Sequence, residues 1–199
     1  SYERGRTDNV RWNSTADYRL LRPFVLADSV GGDLSTEEYA FRGAYVRRDG
    51  RINYGIGINY RARHEFRQID PRPHNIVNDL TGTIGAGFST DRSLIALTAR
   101  GRIYKQSQEV GFFDERGANT VEFLMMGLGN YFARYVGGED QSLFYKGKGY
   151  ALSLTAVPSR TCGWSALLQY ERFSNRNIFS ELNYAPAGRL VTQTLSGSV

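Results

Sequence analysis

The sequence predicts an all-β protein, an antiparallel up-and-down transmembrane β-barrel with about eight strands in this chain. Residues 51–67 alternate between apolar and polar side chains without a break, and this period of two indicates a β-strand. The 22 glycines, 13 tyrosines and 11 phenylalanines among 199 residues favour strands, since glycine weakens helices and aromatic rings suit a pleated surface. The connections between candidate strands are alternately short and long, which is typical of outer-membrane barrels.

The segment 51–67 is the clearest strand. Its apolar face consists of Ile52, Tyr54, Ile56, Ile58, Tyr60, Ala62, His64 and Phe66. The stretch from Ile52 to Phe66 extends about 50 Å at ~3.3 Å per residue, whereas ordinary strands have about 5–6 residues. A tilt of about 45° converts this length to roughly 35 Å along the membrane normal, enough to cross a ~30 Å hydrocarbon core. The length of this segment therefore predicts a strand that spans a membrane.

Less regular alternation predicts the other strands. They lie at residues 38–48, 78–89, 93–105, 143–157 and 164–174, with weaker candidates at 17–28 and 189–199. Pro23 interrupts the candidate 17–28, and proline is poorly tolerated in a central strand. We therefore expect residues 17–199 to form the barrel and residues 1–16 to form a periplasmic lead-in.

The lengths of the connections predict which end of the barrel faces which compartment. The short ones are the Asp49-Gly50 hairpin signal and residues 90–92 and 158–163, which we expect in the periplasm. The long ones, expected to be extracellular loops, are 68–77, 106–142 and 175–188. Residues 121–135, rich in apolar residues and glycine, are expected to form a hairpin within the longest loop.

Aromatic spacing and the alternation predict how the strands face. Same-face aromatic pairs six residues apart occur at Tyr39 and Tyr45, Tyr54 and Tyr60, and Trp164 and Tyr170. They suit the aromatic girdles that flank the ~25 Å apolar band of a barrel, although cross-strand packing in a soluble core would also use such pairs. The side chains expected to face lipid are Ile56, Ile58, Ile84, Leu97, Leu152 and Leu168, and those expected to face inward are Asn59, Arg61, Thr83 and Arg100.

Composition narrows the function classes. No apolar run approaches the 18 residues of a transmembrane helix, and the mean hydropathy of −0.44 is compatible with a barrel of alternating faces. The single cysteine, Cys162, excludes a disulfide framework and a cysteine-based zinc site. The net charge of +5 is spread along the chain, so nucleic acid is not an expected partner.

Four segments carry a resemblance to a known family. They are Tyr60-Arg-Ala-Arg-His-Glu-Phe-Arg-Gln-Ile-Asp-Pro-Arg-Pro-His-Asn75, Gly127-Leu128-Gly129 followed by Tyr131, Tyr145-Lys-Gly-Lys-Gly-Tyr150, and Tyr170-Glu-Arg-Phe173. Over residues 38–199 the chain resembles the large outer-membrane β-barrel proteins of Bacteroidetes whose function is uncharacterised. Members of that family are longer, so the resemblance implies that this chain is the early part of a larger barrel.

A group of basic residues is the candidate binding site. Its members are Arg61, Arg63, Arg67, Arg72, His74, Arg100 and Arg102. One interpretation is a barrel mouth that attracts phosphate- or carboxylate-bearing solutes or the phosphates of lipopolysaccharide. The other is a salt-bridge network in the barrel interior, in which Glu65 shares the face of Arg61, Arg63 and Arg67.

The sequence indicates no catalytic, metal or cofactor site. His64 falls on the apolar face, His74 follows Pro73 in a loop, and neither has a second ligand at metal-binding spacing or a G-x-S-x-G motif. We therefore expect no catalytic residue, no metal ligand and no cofactor.

These observations predict a non-enzymatic protein of the cell outer membrane. We expect it to act as a channel or as the membrane component of an uptake or assembly complex. Its expected partners are outer-membrane lipid and lipopolysaccharide, together with other outer-membrane or periplasmic proteins. Two alternatives stay open: a barrel-embedded lipid-modifying enzyme, and a soluble lipocalin-like barrel that binds an apolar ligand inside.

Overall fold

β-Strands make up most of the described residues, and several of them are 13 to 19 residues long. The computed structural model describes residues 1–113, 121–135, 141–159, 163–180 and 186–199. The strands are β1 Tyr2–Val10, β2 Leu26–Asp28, β3 Gly32–Asp49, β4 Ile52–Phe66, β5 Arg72–Ser89, β6 Ser93–Gly111, β7 Val121–Gly127, β8 Asn130–Tyr135, β9 Gln141–Pro158, β10 Ala166–Phe179 and β11 Pro186–Ser198. The described helix α1, Tyr18–Leu21, has four residues, and no helix in the described ranges could span a membrane. The prediction of an all-β protein is confirmed.

Eight strands form one antiparallel sheet in the order β1-β3-β4-β5-β6-β9-β10-β11. Strands that follow one another along the chain are neighbours in this sheet, with β2 and the β7–β8 pair set aside in a second sheet of three strands. Among the described pairings none joins β1 to β11, so the large sheet is open at both edges. The up-and-down antiparallel order agrees with the prediction, whereas closure into a barrel is not seen.

Two N-terminal predictions are wrong. Residues 1–16, expected to be a lead-in, contain β1, which pairs with β3 from Tyr2↔Tyr39 to Val10↔Gly32. Residues 17–28, expected to be a strand, contain α1 and only the short β2. β1 is exposed almost throughout, so it has no alternating apolar signal. In segment 17–28 the alternation is absent because residues 25–28 are all buried, one after another.

The strands extend well into the segments predicted as long loops. β5 already begins at Arg72, β6 continues to Gly111 and β10 continues to Phe179, so loops 68–77, 106–142 and 175–188 are shorter than expected. In these segments the sequence shows no alternation of apolar and polar side chains, because the buried inner face is itself polar. Its buried polar residues are Asn75, Gln106, Gln108, Asn175 and Asn177. The predicted hairpin in 121–135 is confirmed as β7 and β8. Cys162 and parts of segments 106–142, 158–163 and 175–188 lie outside the described residues.

The first hairpin turn lies one residue later than predicted. Asp49 still pairs with Ile52, so the two turn residues are Gly50 and Arg51 rather than Asp49 and Gly50. Gly50 has φ of 59°, in the left-handed region where a residue without Cβ meets no steric cost.

The alternation of side chains between two faces is confirmed along the large sheet. The backbone pairing aligns Ile56, Ile84, Ala99, Leu152 and Tyr170 in one row across five strands, all on the face we call the outer face. Ile56 and Ile84 are each 62% exposed, and Leu97 is 58% exposed. Asn59, Arg61, Thr83 and Arg100 lie on the opposite, inner face, as their places in the same strands require.

The apolar core lies on the inner face at one end of the sheet only. Residues 11–28, which we call the plug segment, contribute Ala16, Leu21, Val25 and Leu26 to this core. The strands contribute Val77, Tyr104, Val110, Leu143, Tyr145, Phe173 and Phe179, and the second sheet contributes Leu124. The core therefore joins the plug segment to the end of the sheet that bears the longer connections.

Gly147 should be essential to this core because a Cβ there would lie 2.5 Å from Cζ of the buried Phe173 ring and 3.1 Å from Cβ of Tyr104. We expect Gly147→Ala to lower the free energy of unfolding by about 1–3 kcal/mol through overpacking. Gly101 of β6 is the control, since a Cβ at that position meets no atom within 4 Å. Denaturant unfolding of both variants measures the difference, and equal midpoints would contradict this view of the core.

Candidate functional site: an arginine–carboxylate network under the plug segment

Buried amide side chains of the sheet hold the plug segment in place. The carbonyl oxygen of Ser14 accepts hydrogen bonds from Asn75 Nδ2 at 2.9 Å and from Gln108 Nε2 at 2.7 Å. The Thr15 hydroxyl lies 2.9 Å from Oε1 of Gln108, and Gln106 donates to Asn75 Oδ1 at 3.0 Å. The inner face thus satisfies backbone groups of the plug segment that burial would otherwise leave unpaired.

Asp17, the residue before α1, connects the plug segment to the arginines of β4. Its carboxylate accepts two hydrogen bonds from the guanidinium of Arg61, one of them from Nη1 at 3.0 Å. Nη1 of Arg63 lies 3.9 Å from Oδ1 of Asp17, and the Tyr104 hydroxyl lies 3.0 Å from Oδ2. Because the planar fork of arginine matches a carboxylate, the contact with Arg61 fixes the direction of Asp17 as well as neutralising it.

Asp79 of β5 forms the second centre of the network. Arg102 donates to its two carboxylate oxygens from Nε at 2.9 Å and from Nη2 at 2.7 Å, and Arg61 Nη2 lies 3.5 Å away. Arg61 also lies 3.6 Å from Glu38, and Arg63 donates to Glu65 at 2.5 Å. The three arginines 61, 63 and 102 therefore contact four carboxylates, those of Asp17, Asp79, Glu38 and Glu65.

This arrangement corresponds to the internal salt-bridge interpretation of the basic residues. From the sequence alone, the expected partner of these arginines is Glu65, which lies on the same face of β4. Asp17, Glu38 and Asp79 are distant in sequence and reach the arginines only through tertiary folding and strand pairing. Strand register would bring Glu38 opposite Arg63 and Asp79 opposite Arg61, whereas nothing in the sequence places Asp17 there.

Arg67 and Arg72 stand apart from the network. Arg67 pairs with Asp28 at 3.0 Å, with 0% and 1% of the two side chains exposed, and it also donates to the carbonyls of Pro71 and Val10. This buried pair fixes the end of the plug segment. Arg72 donates to Asp70 at 2.7 Å and lies 4.2 Å from the centre of the Phe113 ring.

Arg100 lines a cavity of about 410 Å³ on the inner face, together with Arg42, Asn59, Asp79, Arg102 and Glu171. Within the described ranges Arg100 forms no ion pair, whereas Arg102 in the same wall is occupied by Asp79. A second cavity of about 480 Å³ is lined by Asp17, Arg61, Arg63, Glu65 and Arg102. The network thus lies between two polar cavities, and within the described ranges Arg42 and Arg100 of the first and Arg19 of the second form no ion pair.

His64 and His74 form a pair that sequence reasoning missed. Their Nε2 atoms lie 2.7 Å apart on the outer face, beyond the exposed apolar side chains, and the Phe66 ring stacks on His64 with centres 4.8 Å apart. The β4–β5 register places His74 opposite Phe66, which makes the two histidines diagonal neighbours although ten positions separate them. In the described part of the chain no group of three or more His, Cys, Asp or Glu residues is arranged to hold a metal ion.

Asp17→Asn should release the plug segment, because the arginines it contacts would lose a charged partner in a largely buried site. We expect the free energy of unfolding to fall by about 1.5–3 kcal/mol. Asp8→Asn is the matched control, since Asp8 pairs with Arg6 on the exposed β1 and such surface pairs contribute less than about 1 kcal/mol. Hydrogen exchange in residues 11–28 should accelerate in the first variant only, and unchanged protection there would refute this role of Asp17.

The histidine pair should make the protein less stable in acid. Burial and the neighbouring His74 lower the pKa of His64 below its ordinary 6.5, although Glu37 opposes the shift. Because the pKa of His64 is lowered by folding, the contribution of the neutral ring to stability is complete above about pH 6.5. This contribution is lost as the pH falls through the lower pKa of the folded state. We expect a loss of less than about 1 kcal/mol, because both rings are partly exposed. The variant His64→Asn/His74→Asn, unfolded with denaturant at pH 8 and pH 5, should lack this loss; an identical pH dependence would contradict it.

Comparison with known proteins gives the chain a family but no activity. No significant match to a curated protein or to a solved structure was found. The resemblance to outer-membrane barrels of Bacteroidetes therefore stays a prediction. A family model matches residues 1–199, the whole of this sequence, and is described as a family of unknown function. The chain belongs to this family, DUF6850.

Proposed function

We propose that the protein is a non-enzymatic component of an outer membrane, with its outer face in lipid and its inner face covered at one end by the plug segment. It acts as the membrane part of an uptake or assembly complex. The observation that carries this proposal is the outer face of the large sheet, where apolar side chains are exposed on strand after strand.

The exposed apolar side chains form one continuous band. Its members include Phe41, Tyr45, Ile52, Ile56, Ile58, Leu80, Ile84, Phe88, Ile95, Leu97, Ile103, Leu152, Leu154, Leu168 and Leu195. Strand pairing makes them neighbours, as in the row that contains Ile56, Ile84 and Leu152. Soluble monomers rarely expose a contiguous apolar patch larger than a few hundred Å², so a band across seven strands favours a lipid surface.

The height of the band fits a membrane. From Ile52 to Tyr60 the chain rises about 27 Å at ~3.4 Å per residue, or about 20 Å along the normal when the strand is tilted by about 45°. Tyrosines mark one edge of the band at Tyr60, Tyr150 and Tyr170. This height is close to the ~25 Å apolar band of outer-membrane barrels once the aromatic edges are included.

The contacts on the inner face favour a membrane component closed by the plug segment and argue against an open pore. The network of Asp17, Arg61, Asp79 and Arg102, together with the apolar core, ties the plug segment to the strands. A lipocalin-like barrel needs apolar side chains around an internal ligand, whereas here the arginine–carboxylate network lies on the inner face, the apolar core there is covered by the plug segment, and the exposed aliphatic band lies outside. The orientation of the two faces therefore opposes the soluble alternative.

A pair of adjacent substitutions tests the lipid assignment. Ile58→Arg places a charge in the middle of the band and should cost about 2–4 kcal/mol of stability in vesicles, whereas Asn59→Arg, one residue later on the inner face, should cost much less. Urea unfolding from phosphatidylcholine vesicles measures both values. Equal losses of stability in the two variants would overturn the proposal. So would extraction of the unmodified protein from vesicles by carbonate.

A further inference from the structure

A row of four cations crosses the outer face just beyond the apolar band. Strand pairing sets Lys105 of β6 opposite Lys146 of β9, Lys146 opposite Arg176 of β10, and Arg176 opposite Arg189 of β11. All four side chains are exposed. We call these four residues the cationic row.

No carboxylate of the described residues forms an ion pair with the cationic row. In the described ranges none of its members forms a salt bridge, and the hydrogen bond found is from Arg189 Nε to Ser174 Oγ at 2.9 Å. The adjacent rows on these strands contain Ser107 and Phe144 on one side and Ile103 and Lys148 on the other, with no carboxylate among the paired residues. Like charges placed directly opposite one another destabilise a sheet, so this arrangement favours a bound anion from outside the chain.

The same row is uncharged on the other strands. Toward β3 it continues through Asn78, Ala62 and Tyr39, so the positive charge is confined to the half of the face formed by β6, β9, β10 and β11. A general excess of basic residues would not produce such a boundary. The boundary marks a local site.

The position of Lys146, near the middle of the cationic row, matches the phosphate layer of a bilayer. Tyr150 and Tyr170, with ring centres 6.1 Å apart, mark the edge of the band on these strands. Lys146 lies four residues beyond Tyr150, which is about 10 Å along the normal for a strand tilted by about 45°. Headgroups occupy roughly 5–8 Å on each side of the hydrocarbon core, a zone that the long side chains of lysine and arginine reach from this position.

We propose that the cationic row binds the phosphate groups of a glycolipid headgroup with two phosphates, as in lipid A, whose acyl chains lie on Leu152, Leu154 and Leu168 below it. Neighbouring strands are about 4.8 Å apart, so the four cations span about 14 Å and can contact more than one phosphate. The row lies toward the longer connections, the end that faces outward in outer-membrane barrels and meets the leaflet of lipopolysaccharide. This inference rests on the proposed function. It assigns phosphate binding to the cationic row on the outer face and not to the arginines of the inner face.

The test uses the full protein in detergent with diphosphorylated lipid A as the probe, measured by native mass spectrometry and by tryptophan fluorescence. Lys146→Gln/Arg176→Gln should weaken lipid A binding by about ten- to thirtyfold, with a smaller difference at high salt. The control Arg47→Gln/Arg92→Gln removes two charges at the opposite end of the sheet, where Arg47 pairs with Tyr54, and should change binding less than twofold.

The outcomes separate this inference from the proposed function. Insertion of both variants into vesicles with equal affinity for lipid A would overturn the cationic row as a site and leave the membrane assignment intact. Displacement of lipid A by millimolar inorganic phosphate from the unmodified protein would show a site for free phosphate and overturn the lipid as its ligand. Failure of the unmodified protein to insert into vesicles would overturn both.

Discussion

The contact between Asp17 and Arg61 is the interaction on which the inner half of this structure depends. Arginines at alternate positions of β4 must point inward because the other face of the strand is apolar. Charged groups away from water are costly unless they are paired, and Asp17 accepts two hydrogen bonds from Arg61, whereas the strand carboxylates Glu38 and Asp79 lie 3.6 and 3.5 Å from it. The plug segment brings Asp17 to the site, and its apolar residues then complete the core that the sheet cannot form alone.

The apolar outer face follows from the same alternation of side chains along each strand. A strand that buries polar groups on one side presents its isoleucines and leucines on the other, and the register repeats this across neighbouring strands. Beyond the band, the face becomes polar and carries His64, His74 and the cationic row. Away from the core under the plug segment, polar side chains therefore line the inner face and apolar side chains the outer face, and the apolar band ends at a defined border at one end of the sheet.

A period of two is visible in the sequence where one face is apolar and the other polar, and the strand it predicts at 51–67 agrees with β4, Ile52–Phe66, to one residue at each end. The period is absent where both faces are polar or both are buried. β1 is solvated on both sides, the inner residues Gln106 and Gln108 lie under the plug segment, and Leu26 packs within it, so none of these shows a period of two. The sequence pattern identifies the arginines of the candidate site and their partner Glu65. It does not identify the contact of Asp17 with Arg61 or the contact of His74 with His64, because these residues meet only in three dimensions.

The two free edges of the large sheet are chemically different. β1 bears Glu3, Arg4, Arg6 and Asp8, and charged side chains at an edge discourage the addition of another strand. From residue 190 onward β11 has no charged side chain, and its alternating Val191 and Leu195 continue the apolar band to its limit. In a lipid environment an unpaired row of N–H and C=O groups cannot remain without hydrogen bonds. The β11 edge is therefore chemically better suited to pairing with another strand than the charged β1 edge.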